Sequence, residues 1–242
     1  MSHRTIDSPA TLQDWVFPWP AFNVDFRRSA LLVIDYQNYS VNRACGLMRQ
    51  VIERHPAIAD YYVPWVTEVA IPNTRRLLDA FRAQRWEVVY TRNGGLLPGG
   101  RDLIERRRQR DVNAQNTTGT ATLWSRGSYE HEVIDELAPQ PNELIIDKNC
   151  SSPFNGTGID QLLRNLGIRS LFVTGMATDM CVETTARDAA DRGFDVVVVE
   201  DAVATFVEDH QRAALSALAR VYTQVWTTEQ VLAALRSAVA AG

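Results

Sequence analysis

Three side chains far apart in the chain, Asp35, Lys148 and Cys181, are of the types that together build a nucleophilic site. A cysteine attacks as its thiolate, so it needs a base to take its proton and a positive charge to hold the anion. Asp35 could be that base and Lys148 that charge. The stretch "VTGMATDMCVETTARDAA" (173–190) runs an apolar strand into a glycine and then sets Cys181 at the opening of a helix. If Thr178 or Asp179 caps that helix, Cys181 falls in its first turn, where unpaired N–H groups and the helix dipole favour thiolate over thiol. The N–H groups before and at the cysteine could hold an oxyanion developing on a carbonyl substrate. Each residue also has an ordinary role to set against this one: Asp35 closing a turn, Lys148 pairing at the surface, Cys181 filling a gap in the core. Their coincidence on one rim of a sheet favours the chemical role.

That rim follows from the apolar pattern. Runs at 29–36, 86–92, 143–148, 170–175, 195–201 and 223–228 are nearly continuous in apolar, largely β-branched residues, which is how strands covered on both faces read. Segments with apolar residues at three- and four-residue spacing lie between them, at 66–84, 158–167, 178–193 and 208–221, and a last helix closes the chain. Alternating strands and helices predict an α/β fold: a single doubly wound domain with a six-stranded parallel sheet and helices on both faces. In such sheets ligands sit at the carboxyl ends of the strands. Asp35 ends the first strand, Lys148 the third, and Cys181 follows the fourth. Residues 37–63 and 93–130 carry no strand and are expected as long loops that shape a binding pocket. Residues 1–28 form an N-terminal arm bearing Trp15, Phe17, Trp19 and Phe22, and 29–242 the domain proper.

Composition excludes other classes. The chain has 242 residues, 45% hydrophobic and 22% charged, with a formal net charge of -4, an ordinary globular balance without the basic surplus of a nucleic-acid binder. The locally basic "RDLIERRRQRD" (101–111) is interrupted by Asp102, Glu105 and Asp111 and reads as a solvated helix face. Three cysteines at wide spacing make neither a disulfide framework nor a metal knuckle, which suits a reducing, cytoplasmic setting. No apolar run is long enough to span a membrane. There is no GxSxG elbow, no HExxH and no phosphate loop, and His3, His55, His131 and His210 show no pairing. A nucleotide-binding doubly wound protein is therefore the weaker alternative.

"LLVIDYQN", "LIIDKNCSSPFNGTGID" and "VTGMATDMCVETTARDAADRGFDVVVVEDAVAT" together resemble the isochorismatase-like cysteine hydrolases, which include nicotinamidases and N-carbamoylsarcosine, biuret and ureidoacrylate hydrolases. The resemblance runs from about residue 29 to the end of the chain. It implies that Cys181 attacks an amide carbonyl and passes through a thioester, that Asp35 shuttles the proton, and that Lys148 holds the charged pair. It also implies a cis peptide at Met176–Ala177, which would place the N–H of Ala177 beside that of Cys181 in an oxyanion hole. Nicotinamidases carry an Asp-x-His metal cluster after the second strand. This chain has "TRNGGLLPGG" there, so neither metal nor cofactor is expected. Isochorismate hydrolases of the family act on a vinyl ether without the nucleophilic cysteine, so Cys181 argues for C–N cleavage in a small amide, ureido or carbamoyl compound. A non-catalytic binding protein on the same fold is the alternative from another class. Arg92 is expected to fork onto a substrate carboxylate, or to pair with a protein carboxylate, while Tyr39, Asn93, Trp124, Phe154 and Asn155 are expected to line the pocket. The expected partners are a small-molecule substrate and further copies of the chain, as homodimer or homotetramer, with neither nucleic acid nor membrane.

Overall fold

The computed structural model describes residues 20–119 and 121–240. Its centre is an all-parallel sheet of β1 (Ser29–Ile34), β2 (Glu87–Asn93), β3 (Leu144–Lys148), β4 (Ser170–Met176), β5 (Asp195–Ala204) and β6 (Gln224–Trp226) in the order β3-β2-β1-β4-β5-β6. All of β1 and β4 is buried, as their unbroken apolar runs require of strands covered on both faces. The expected doubly wound sheet is the observed one. Chain order reverses direction between β1 and β4, so a crevice opens beyond their carboxyl ends.

The helices are α1 (Asn38–Val41), α2 (Gly46–Arg54), α3 (Pro56–Pro64), α4 (Ile71–Ala83), α5 (Glu105–Thr118), α6 (Ile159–Asn165), α7 (Glu183–Asp191), α8 (Glu208–Val221) and α9 (Thr228–Ala240). They cover both faces of the sheet. One core gathers Leu31, Val33, Tyr90, Phe172 and Val197 with Leu77, Phe81, Val231 and Leu235 from α4 and α9. The opposite core gathers Leu32, Val89, Val173 and Val198 with Leu163, Val182, Ala186 and Leu215, largely from α6, α7 and α8. Successive strand residues thus alternate between two apolar layers. Among the described residues no helix is long and apolar enough to cross a membrane.

Two expectations need correction. Residues 37–63 are mostly helical, in α1, α2 and α3, and α3 runs on through a π-helical segment, Trp65–Ala70, into α4 without a break. Pro64 is the last residue of α3, and the wider turn begins directly after it, so the backbone stays helical. Residues 93–130 likewise contain α5, 14 residues long. Of the N-terminal aromatics, Phe22 packs on the α4/α9 core, while Trp15, Phe17 and Trp19 lie outside the described residues.

The crevice depends on how closely β4 approaches β1. Gly175 has φ +121°, and a Cβ built on it would sit 2.1 Å from the carbonyl oxygen of Ile34. Only glycine fits there, and the pairing of β4 with β5 shifts register at the same point. Gly175→Ala is therefore expected to cost about 3 kcal/mol or more, read as a lower urea midpoint; an unchanged midpoint would show that the two strands can part without penalty.

Candidate active site

The three chemical residues meet at the strand ends. Asp35 follows β1 directly with φ +53°, a left-handed conformation that turns the chain out of the sheet, and it is 1% exposed. Its Oδ1 accepts a hydrogen bond from the Thr91 hydroxyl at 2.6 Å, and its Oδ2 accepts one from Lys148 Nζ at 2.6 Å. Lys148, the last residue of β3, is 0% exposed. Its ammonium also donates to the carbonyl of Cys150 at 3.2 Å and to Cys181 Sγ at 3.4 Å, so all three of its N–H groups have partners. Burial works to lower the Lys148 pKa, but the Asp35 carboxylate and the sulfur outweigh it and hold the ammonium charged.

Cys181 belongs to a π-helical turn, Thr178–Val182, that opens directly into α7. Neither Thr178 nor Asp179 caps it: Ala177 holds the cap position without a side-chain bond, the Thr178 hydroxyl donates to Gln211 Oε1 at 2.6 Å, and the Asp179 carboxylate accepts from Thr205. Both side chains are held by neighbouring elements instead. The Met176–Ala177 peptide bond preceding the turn is cis. One expectation reverses here. Burial pushes the Cys181 thiol up to about 12, and Lys148 offsets this only in part, while Asp35 adds to it. Burial thus favours the thiol form of a sulfur that faces Lys148 Nζ and Asn93 Nδ2.

The register of β2 and β3 sorts the other candidates. Asn93 pairs with Lys148, and Arg92 with Asp147. Adjacent residues point to opposite faces, so Asn93 shares a face with Lys148 while Arg92 is turned away. Asn93 Nδ2 lies 3.6 Å from Cys181 Sγ. Arg92 is engaged with Asp147, at 2.7 Å and 3.2 Å, and with Glu132, so it pairs with protein carboxylates and not with the crevice. Tyr39 stacks on Trp124 with ring centroids 4.5 Å apart. Burial, then the Asp35 carboxylate, raise the Tyr39 phenol far above its ordinary range, while Arg107 and Arg110 oppose this. Asn93 thus touches the sulfur, and Tyr39 and Trp124 form a stacked pair on the same side of the sheet ends. Phe154 and Asn155 do not join them as pocket groups: Phe154 is buried against Phe194 and Arg192, and Asn155 is exposed and bonds Asp188.

Sequence reasoning passed over one residue. Arg107 lies inside the basic run taken as a solvated face, yet its Nη1 donates to Asn93 Oδ1 at 3.0 Å. A guanidinium only donates, so the Asn93 atom facing it must be the oxygen, which turns the amide N–H₂ toward the sulfur. The acids that interrupt the run are its anchors. Asp102 accepts from the N–H groups of Leu96 and Leu97 at 2.9 Å and 3.1 Å. Buried Asp111 accepts from Leu123 N–H at 3.0 Å, tying α5 to the residue before Trp124. Gly94, after β2, lets this layer close: a Cβ there would lie 2.5 Å from His131 Cδ2 and from the Trp124 carbonyl. His131 is fully buried, and burial lowers its pKa, so its ring packs uncharged behind the loop. Among the described residues no group of three or more His, Cys, Asp or Glu is placed to hold a metal ion.

Two outcomes follow from this geometry. Because the thiol is raised, iodoacetamide labelling of Cys181 should climb about tenfold per pH unit from neutrality to pH ~10, followed by mass spectrometry of its peptide; a plateau below the ordinary thiol range would mean a thiolate in the free protein. Lys148→Met strands the buried Asp35 carboxylate and should cost about 3–5 kcal/mol, with part recovered in Lys148→Met/Asp35→Asn. A double variant no more stable than Lys148→Met would show that the two groups are not energetically paired.

Comparison with known proteins shows the family of the chain. The Isochorismatase domain model matches residues 29–230. A cysteine hydrolase from Pseudomonas syringae pv. phaseolicola superposes with a TM-score of 0.74 at 27% identity, over 92% of this chain and 99% of that one. An isochorismatase family protein from Burkholderia thailandensis gives 0.66 at 26%, over 90% and 100%. N-carbamoylsarcosine amidase from Thermoplasma acidophilum gives 0.60 at 26%, over 84% and 97%. With a parallel sheet of this order, and a buried cysteine beside a lysine and an aspartate at its switch point, the chain belongs to the isochorismatase family of hydrolases, among its cysteine hydrolases.

Proposed function

We propose that the protein is a metal-independent cysteine amidohydrolase that cleaves the C–N bond of a small amide, ureido or carbamoyl compound. One observation carries this reading: a single buried ammonium, Lys148 Nζ, lies 2.6 Å from Asp35 Oδ2 and 3.4 Å from Cys181 Sγ. An acid, an amine and a thiol sharing one proton network are the parts needed to make a thiolate on demand. A resting thiol also suits a nucleophile generated only when substrate excludes water from the crevice.

In the first half-reaction Asp35 takes the thiol proton and Cys181 Sγ bonds to the substrate carbonyl carbon. Lys148 keeps its proton and balances the negative charge as it passes from the Asp35 carboxylate to the sulfur. The carbonyl oxygen becomes an oxyanion, with the N–H groups of Ala177 and Cys181 as its donors. Collapse breaks the C–N bond, Asp35 returns the proton to the departing nitrogen, and a thioester remains on Cys181. In the second half Asp35 deprotonates water, which attacks the thioester; the C–S bond breaks, the acid leaves, and the proton returns to sulfur. Asn93 Nδ2, aimed at the sulfur by Arg107, stabilises the thiolate in both halves. Cleavage at nitrogen is supported by the cysteine itself and by the likeness to a protein described as an N-carbamoylsarcosine amidase. Tyr39 and Trp124 offer a flat aromatic wall to a planar amide or ureido group.

Ammonia release from a panel of small amides, ureido acids, biuret and nicotinamide tests this reading. Turnover of at least one ureido or carbamoyl compound is expected, indifferent to chelator and reduced about 10³-fold or more in Cys181→Ala. Turnover that survives Cys181→Ala, or that chelator abolishes, would overturn it.

A further inference from the structure

The guanidinium of Arg107 sits at the inner edge of the pocket with most of its capacity unused. It is half-buried, yet among the described residues it makes one side-chain hydrogen bond, to Asn93 Oδ1, and no ion pair. A guanidinium carries five N–H donors in a planar fork, so four remain. The partly buried arginines elsewhere contrast with it: Arg82 forks onto Glu143, Arg92 onto Asp147, and Arg187 binds Glu183. A half-buried cation without a carboxylate needs a partner, and the side it faces is the crevice.

Its neighbours define that partner. Arg107 and Arg110 both act on the Tyr39 phenol, so positive charge flanks the aromatic wall of Tyr39 and Trp124. The carboxylate beside the sulfur is already committed, Asp35 to Lys148 and Thr91, and Asp102 on the loop before α5 is bound to the N–H groups of Leu96 and Leu97. The α5 backbone that presents Arg107 is fixed by buried Asp111, so the guanidinium is held in place before ligand arrives. One guanidinium can keep its bond to Asn93 through Nη1 and offer its other edge to a planar anion.

We infer that Arg107 is the specificity-determining residue of this pocket and that it selects compounds carrying a carboxylate on the far side of the scissile carbonyl from Cys181. Biuret, nicotinamide and simple amides, which lack that group, are then poor ligands, and ureido acids or N-carbamoyl amino acids are good ones. The word "scissile" rests on the amidohydrolase reading, whereas anion recognition by Arg107 does not. Arg107 has two effects, orienting Asn93 and binding the anion, and only the second depends on the charge of the ligand.

The test compares charged with neutral partners so that any change in the sulfur itself cancels. In the first arm, labelling of Cys181 by iodoacetate and by iodoacetamide is followed at pH ~9 by mass spectrometry of the Cys181 peptide. The rate ratio, acid over amide, should fall about five- to tenfold in Arg107→Met, stay near the wild-type value in Arg107→Lys, and be unchanged in Arg106→Met on the exposed side of the same helix. In the second arm, ammonia release is measured from N-carbamoylglycine and its uncharged methyl ester. The kcat/KM ratio, acid over ester, should be about tenfold or more in the wild type and approach unity in Arg107→Met. If Arg107→Met does not fold, Arg107→Gln supplies the same ratios. A purely structural Arg107 would lower both members of each pair equally and leave the ratios at the wild-type value, which would overturn the inference. A labelling ratio that depends on Arg107, with no turnover of either compound, would overturn the amidohydrolase reading and leave anion recognition standing.

Discussion

The buried ion pair between Lys148 and Asp35 is the constraint around which the rest of this molecule is arranged. Taking two unlike charges out of water costs several kcal/mol per ion, and their attraction repays that only with close geometry and with every remaining donor and acceptor satisfied. Here both conditions are met by the sheet. Lys148 leaves the end of β3, passes the end of β2 and reaches Asp35 beyond β1, a span of two strand spacings or roughly 10 Å. Thr91 from the intervening β2 fills the second carboxylate oxygen, and the Cys150 carbonyl takes a second lysine donor. The donor left over is aimed at sulfur.

That leftover donor explains why the sulfur is both buried and usable. Burial alone would make Cys181 an inert core thiol, and its raised pKa shows that burial dominates. In the proposed mechanism, however, the adjoining ammonium would meet the new thiolate with a charge already in position once the proton moves to Asp35. No solvent need reorganise around it. The glycine at 175 belongs to the same construction, because it lets β4 press against Ile34 and so brings the turn that carries Cys181 over the ends of β1 and β3.

Around this rigid floor the pocket walls come from segments without strands. Tyr39 arrives on α1, Trp124 on the stretch after α5, and Arg107 on α5 itself. Buried polar anchors help to hold them: Asp111 to the backbone before Trp124, and Gln37 to the carbonyls of Asn93 and His131 at 3.2 Å and 2.7 Å.

How much of this the chain revealed on its own follows the same division. Strand identity and order of appearance were legible because the apolar runs of β1, β4 and β5 are driven by burial on both faces, a local and strong signal. Asp35, Lys148 and Cys181 were legible because strand ends are where such a sheet places reactive groups. The helix through Pro64 was not, since a proline reads as a stop unless a wider turn accommodates it. Nor could sequence tell Arg92 from Arg107. A residue at the end of β2 looks closer to the chemistry than one on a polar helix, but strand alternation turns Arg92 toward Asp147, while tertiary anchoring by Asp111 swings Arg107 inward to Asn93. The sequence determined which chemistry the protein carries, because backbone pattern and residue type are local properties. Only the tertiary structure decided the protonation of the thiol and the charge lining the pocket, because both depend on what is packed within a few ångströms from distant parts of the chain.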